Sequence, residues 1–484
     1  MNGGIQPAMS PQLRRDILIG ASLVGLRLAL DWLVVGAGFT AISDDDFSRV
    51  AIAQELAGQW RLDPSGTSWL PFPFWCNGAF MAVIGATLEA ARAAAVTLGV
   101  IASVGLYAAA RASGLSSRAA FAAAAASTLM PVSAITGVAT VPELPTATLC
   151  ACALLLLRNR TAQSTLAAAA CVLPATLSRY EAWPVAVVVA AAAWADRKTP
   201  KERPGRLRLA AVEVAAAGPI AWMLWNRYAH GDALHFHTRV SSFWYASGGQ
   251  RSDALLQVLR GYPLTAIVGV PTLTTIVLGS LWIAYDRKVV ASWVRPLAGA
   301  GIVVLALTLM QTTGGAPTHH PERTLLLVWM VLWAFAADLI DQRGVADRVP
   351  LIRQGLLAVV CTLLAVQLKT SLPIAGADRE AEVLVGTWLH QHAGEQTVLV
   401  DPVDFGHFAV TAAAGMPSRM KLARSIDPRE AKQPSPFEEE AALRAKVSET
   451  GARWLVVRKE KGEAARRMGE VRKREGNWEV VEVK

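Results

Sequence analysis

The sequence predicts an α-helical polytopic membrane protein with about 11 transmembrane helices and a small C-terminal extracytoplasmic α/β domain. Three observations carry that expectation. Hydrophobic residues make up 53% of the 484 residues and charged ones 18%, and mean hydropathy is +0.34, which is not the balance of a soluble chain. Apolar runs of the kind that cross a hydrocarbon core of about 30 Å recur as far as residue 371. From Leu372 onward the composition turns charged and polar. The net charge of +9 would suit a nucleic-acid partner, but basic residues between apolar runs are first explained by membrane topology. No nucleic acid is therefore expected.

Eleven spans are expected, near residues 17–41, 90–110, 119–137, 144–157, 163–178, 182–195, 209–226, 263–285, 296–312, 324–340 and 355–371. The first follows Arg14 and Arg15 and lacks a small-residue cleavage site, so it reads as a signal anchor. The stretch 72–88 is apolar enough to be a twelfth span. Parity argues against it, since it would move Arg111 and Arg118 outside, and Trp69, Pro71, Pro73 and Trp75 suit an interfacial or re-entrant helix. With the N-terminus inside, Arg158, Arg160, the cluster 197–208, Arg287, Lys288, Arg295, Arg343, Arg348 and Arg353 join the cytoplasmic side. Residues 1–371 then form the membrane domain, and 372–484 an extracytoplasmic (periplasmic) domain of a cell or inner-membrane protein.

The outer domain alternates helical patterns at 378–392, 436–450 and 462–470 with β-rich runs at 397–401, 453–459 and 478–483, as small α/β domains do. Cys150, Cys152, Cys171 and Cys361 lie in apolar stretches and Cys76 stands alone near an interface, which gives neither a disulfide framework nor zinc spacing.

Placed on this topology, the unusual polar residues gather on the outer face. Asp44, Asp45 and Asp46 head an amphipathic helix directly after the first span, where a helix N-terminus offsets part of their repulsion. They serve either as an N-cap with solvated neighbours or as a base or metal site. Glu143 is fixed at a span end between Pro142 and Pro145. Arg179 and Glu181, in SRYE, suit either a structural ion pair or an anion site with a positioned acid. His320 and Arg323, in THHPERT with His319 and Glu322, precede the tenth span, where a guanidinium would fork onto a phosphate or simply anchor the span end. His235 and His237 lack a third patterned ligand and are given no metal role. Asp401, Asp404 and His407 follow an expected strand, as ligand residues of α/β folds do, although turn and cap roles suit them as well. Together the outer carboxylates, arginines and apolar walls match a lipid-linked phosphate.

The order of these motifs resembles the GT-C superfamily of integral-membrane glycosyltransferases, nearest its protein O-mannosyltransferase and aminoarabinose transferase branch. The resemblance rests on the signal anchor, the Asp-rich helix head, the segment LPFPFWCNGAF, Arg92 opening the next span, Glu143, SRYE and HPER, and covers about residues 15–370. It implies a polyprenyl-phosphate-linked sugar as donor, a lipid, glycan or protein acceptor, and an inverting displacement at the extracytoplasmic face. A first-loop carboxylate would be the general base, with Asp45 in that role and Asp46 the acid that follows. Asp44, Arg92, Glu143, Arg179, Glu181, His320 and Arg323 would line the substrate site, with Arg92 and Arg323 holding the leaving phosphate. The chain departs from the pattern in lacking a basic residue beside its Pro-aromatic segment. Its extra Asp44 leaves open a divalent metal, as in the oligosaccharyltransferase branch. The competing function is a transporter or flippase of a lipid-linked sugar, which would place its polar residues near the midplane and show internal repeats. A sensor with an outer ligand domain would need only one or two spans.

Overall fold

The structure is a computed structural model that describes residues 10–197, 205–249, 255–313, 320–342, 362–363, 365–369 and 378–484. It opens with helix α1 (Pro11–Gly36), which Ser10 caps by accepting from the Leu13 N–H, and α2 (Asp44–Gly58), which begins with a reciprocal Ser43–Asp46 capping box. Next come α3 (Phe72–Ile84), α4 (Leu88–Ala112), α5 (Ser117–Leu129), α6 (Pro131–Thr136) and α7 (Glu143–Leu156). The bundle continues through α8 (Ala162–Thr176), α9 (Ala182–Asp196), α10 (Gly205–His230), α11 (His235–Ala246), α12 (Leu255–Arg260), α13 (Tyr262–Val268) and α14 (Pro271–Ala284). It closes with α15 (Arg287–Ser292), α16 (Val294–Thr312), α17 (Pro321–Thr324) and α18 (Leu326–Gln342).

Every expected span within the described residues falls on a helix. Among these, α1, α4, α10 and α16 are each long and apolar enough to cross a bilayer, and the run Leu255–Val268 with Pro271–Ala284 would make another if its 69° bend is taken as one span. That bend falls where Pro271 stops the preceding helix. The expected stretch 119–137 is likewise broken, because Pro131 forces Met130 into an extended conformation between α5 and α6. The stretch 72–88 forms only the short helix α3, whose Phe72 N–H bonds the Leu177 carbonyl at the α8 end. The last expected span, 355–371, lies largely outside the described residues, as do His319, Arg343, Arg348, Arg353 and residues 198–204 of the basic cluster.

The apolar core runs through α4, α5, α7, α8, α9, α16 and α18, with Trp293 and Trp329 fully enclosed. Alanines dominate the facing positions of α5 and α8, and small side chains let helix backbones approach closely where lipid supplies no hydrophobic driving force. Arg27, buried inside α1, pairs with Asp31 and donates to the carbonyls of Ser133 (2.9 Å) and Ala134 (3.0 Å). These carbonyls belong to the short broken helix α6, so a buried cation satisfies them. Gly137 makes room, since a Cβ there would lie 1.8 Å from the guanidinium. Arg27 thus fastens α1 to the segment that leads into Glu143.

The C-terminal part holds α19 (Glu380–His392), β1 (Thr397–Val400), α20 (His407–Ala414), β2 (Met420–Leu422), α21 (Glu440–Thr450), β3 (Ala452–Arg458), α22 (Glu463–Met468), β4 (Gly469–Glu475) and β5 (Trp478–Val483). The sheet runs β2-β1-β3-β5-β4, parallel across β2, β1 and β3 and antiparallel at β5 and β4. Side chains alternate as a pleat requires: Val398, Val400, Trp454, Val456 and Val480 pack with Val385 and Leu389 of α19, while Leu399, Leu455, Val457 and Val481 pack with Leu443 of α21 and Ala465 of α22. The sequence pattern predicts a helix throughout 462–470 and does not predict strand β4. The helix stops at Met468, and β4 is a charged edge strand, GEVRKRE, whose residues do not show an apolar face.

The two parts meet along α2. Phe47, Val50 and Ala53 pack against Ala409 and Ala412 of α20, and the Gln54 amide donates to the Ala412 carbonyl at 2.7 Å.

Helices α19 and α20 of the C-terminal domain pack closely. Gly386 of α19 lies so near α20 that a Cβ would sit 2.4 Å from the Val410 carbonyl oxygen. Gly386→Ala in the full chain is expected to destabilise this domain by about 1–3 kcal/mol, read as an earlier thermal transition. An unchanged transition would show that the two helices separate freely.

Candidate functional site

Four chain segments far apart in sequence converge at the head of α7. Glu143, its first residue, is 1% exposed and accepts a hydrogen bond from Arg179 Nη1 at 2.8 Å, from the turn between α8 and α9. Arg323 of α17 reaches the same oxygen, and Arg179 also grips Glu181. A carboxylate buried at the rim of a membrane bundle is strongly disfavoured unless cations meet it, and Glu143 has two. The arrangement brings together four of the expected residues: Glu143, Arg179, Glu181 and Arg323.

A fifth charge was not expected from the sequence. Arg49 of α2 is 8% exposed, with its guanidinium 4.3 Å from the Trp69 ring centroid and 5.6 Å from that of Phe74. Its field is shared with Asp45, Glu143, Arg179 and Arg323, and burial pulls its proton affinity down. On sequence Arg49 looks like the polar face of an amphipathic helix. The signal that could have found it is its spacing, four residues after Asp45 and so on the same face of α2.

Three guanidinium groups thus meet two glutamates, and Asp45 lies in the field of Arg49 as a further acid. Arg323 Nε is buried with no acceptor among the described residues, and Glu143 Oε2 is likewise without a partner. Such a group of cations, with a buried N–H left over, suits an anion with several oxygens. Beside it, a cavity of about 40 Å3 has walls of Phe72, Cys76, Leu98, Val141 and Leu149 and touches Ser178, the neighbour of Arg179.

The three aspartates stand in different surroundings. Asp46 is 3% exposed, and its two oxygens accept from the backbone N–H groups of Ser43 and Thr140, each at 3.2 Å. Burial pushes its carboxyl up to about 7, against the pull of Arg323. Asp44 lies against Arg379 of the outer domain, in a forked pair of 2.8 and 2.9 Å. Asp45 is exposed, and its side chain has no hydrogen-bond partner among the described residues.

Arg92 stands apart from the Glu143 group and points its guanidinium at the Thr40 carbonyl, 3.4 Å away, in the link between α1 and α2. His320 is exposed beside Glu322 at 3.3 Å. His235 stacks on His230 with ring centroids 4.1 Å apart. In the outer domain Asp401 accepts from the Ser435 hydroxyl, and Asp404 holds the Gly406 N–H and faces Arg379, as turn and cap residues do. Among the described residues no three side chains of metal-ligating type converge. Asp44 is engaged by a guanidinium and Asp46 by two backbone N–H groups, so the three aspartates do not converge on one point.

The burial of Asp46 makes stability depend on pH. An unfolded Asp titrates near 3.9, so the native state holds this proton more tightly, and the stability it contributes below about pH 4 is lost as pH rises through about 7. The melting temperature of the full chain in detergent is expected to fall across that window more steeply for the wild type than for Asp46→Asn. Equal slopes would mean that Asp46 does not carry the titration.

Residues 66–225 match the family described as dolichyl-phosphate-mannose-protein mannosyltransferase, a stretch that includes Trp69, Glu143, Arg179 and Glu181 and leaves out the Asp triplet and Arg323. No curated protein matches the chain. Among solved structures, ArnT from Cupriavidus metallidurans bound to undecaprenyl phosphate superposes with a TM-score of 0.64 at 14% identity, over 95% of this chain and 97% of that one. The archaeal oligosaccharyltransferase AglB from Archaeoglobus fulgidus, in complex with an inhibitory peptide and a dolichol-phosphate, does so with a TM-score of 0.52 at 12% identity, over 91% of this chain and 69% of that one. The chain has the fold of the GT-C membrane glycosyltransferases, the superfamily that its sequence motifs resemble.

Proposed function

We propose that this multi-pass membrane protein is an inverting glycosyltransferase, moving a sugar from a polyprenyl-phosphate donor to a lipid, glycan or protein acceptor on the extracytoplasmic face. The observation that carries this reading is the group of Arg49, Arg179 and Arg323 around Glu143, together with an exposed Asp45 that lies in the field of Arg49 and whose side chain has no hydrogen-bond partner among the described residues. ArnT and AglB were captured with undecaprenyl phosphate and dolichol-phosphate respectively, which supports a lipid phosphate as the anion for this charge.

In the proposed reaction an acceptor hydroxyl or amine attacks the anomeric carbon from the side opposite the phosphate. Asp45 takes its proton, the new glycosidic bond forms, and the bond from the anomeric carbon to the phosphate oxygen breaks. The leaving polyprenyl phosphate gains negative charge, which Arg323 and its neighbours meet with fixed donors in a water-poor site. Glu143 orients these arginines, and Glu181 orients Arg179. Arg92, Asp44 and His320 flank this centre. No step requires a metal.

The topology belongs to the same proposal: eleven spans, a cytoplasmic N-terminus, a membrane domain of residues 1–371 and an extracytoplasmic domain of 372–484 in the cell (inner) membrane. Reporter fusions at residues 202 and 420 are expected on opposite sides, and finding both on one side contradicts it.

Asp45→Asn keeps the size of the side chain but cannot take the proton. It is expected to insert normally and to lose about 10²- to 10⁴-fold in transfer rate, whereas a mere helix cap would tolerate Asn almost silently. Near-normal turnover would remove the base from this position. Arg323→Lys keeps the charge and loses the fork, so transfer at limiting donor should fall with normal insertion. If even Arg323→Ala transfers as the wild type does, the phosphate is held elsewhere.

A further inference from the structure

Besides the packing of α2 on α20, a forked ion pair ties the C-terminal domain to the first turn of α2. Arg379 stands just before α19 and is separated from Asp44 by 335 residues, yet its Nε and Nη2 donate to the two Asp44 oxygens at 2.8 and 2.9 Å. A guanidinium that bonds both oxygens of a carboxylate fixes direction as well as distance. Arg379 is itself held, with Nη1 3.3 Å from Glu382 and 3.4 Å from Asp404, and burial leaves its side chain 16% exposed. The absence of a side chain at Gly406 lets it pass, because a Cβ there would lie 2.5 Å from Nη1. On the other side of the same helical turn, Asp46 is tied to Thr140, which leads into Glu143. The first turn of α2 is therefore pinned from the outer domain through Asp44 and from the membrane domain through Asp46, with Asp45 between them.

We propose that Arg379 is a positioning residue for sugar transfer: by gripping Asp44 it sets the direction of the Asp45 carboxylate, which makes the C-terminal domain part of the catalytic assembly. The inference rests on Asp45 acting as the base. Asp44 is then a joint and not a substrate ligand, and its loss should resemble the loss of Arg379.

The test uses the full-length protein, with undecaprenyl-phosphate sugars as donor probes and, independently of activity, hydrogen exchange at the amides of residues 45–49. Arg379→Gln and Asp44→Asn are each expected to lower kcat about 10- to 100-fold, as a displaced catalytic group does, with donor KM within about 2-fold. The double variant should be no worse than either single one, because both break the same contact. Exchange at 45–49 should rise in all three. Arg379→Lys, which keeps the charge without the fork, should also lower kcat and serves where the Gln variant does not fold. Wild-type kcat in Arg379→Lys, multiplying losses in the double variant, or a KM effect alone would overturn the proposal. Unchanged exchange in Arg379→Gln would overturn it even if Asp45→Asn is inactive, and raised exchange with an active Asp45→Asn would instead fault the base assignment.

Discussion

Glu143 is a negative charge with almost no access to water, and the outer rim of the bundle is organised around answering it. Its two cationic partners come from positions 36 and 180 residues away, so the pairing holds the α8–α9 turn and α17 against the head of α7. Removing one partner of such a group strands the other, which is why a buried charge network dictates geometry more firmly than it adds stability. The consequence is a set of guanidinium donors held at the head of α7. Arg49, supported by Trp69 and Phe74, extends that set toward Asp45.

The aspartate triplet shows how neighbouring residues of one type take on different work. Helical geometry sends successive side chains about 100° apart, so Asp44, Asp45 and Asp46 cannot face the same environment. One meets the outer domain, one meets the backbone at Thr140, and one faces outward. A cation site would have needed them to converge. Their divergence turns the triplet into a joint between two parts of the chain and leaves one carboxylate, Asp45, exposed.

Much of this was legible in the sequence, and what escaped it did so for physical reasons. Composition and apolar run length locate the helices, because the bilayer imposes a length on each. Glu143, Arg179, Glu181 and Arg323 announce themselves as charges at span ends, where a charge is rare enough to need a purpose. Arg27 and Asp31 hide inside an apolar run that hydropathy averaging reads through, although their spacing of four residues is that of a helical pair. Arg49 is masked by an amphipathic pattern that makes any polar residue look solvated. Arg379 is beyond reach, because nothing local to it or to Asp44 reveals a contact spanning 335 residues. Strand β4 escaped because a charged edge strand carries its stability in backbone pairing with β5 and not in an apolar face.

The charge cluster around Glu143 is proposed to serve the breaking of a bond between a sugar and a lipid phosphate, and the most direct measurement is the fate of the donor. Purified protein in liposomes, supplied with a panel of radiolabelled undecaprenyl-phosphate sugars and a candidate acceptor, should release undecaprenyl phosphate in step with the appearance of label on the acceptor. Movement of the intact lipid-linked sugar between leaflets, with no bond broken for any donor, would contradict that claim and mark the protein as a transporter.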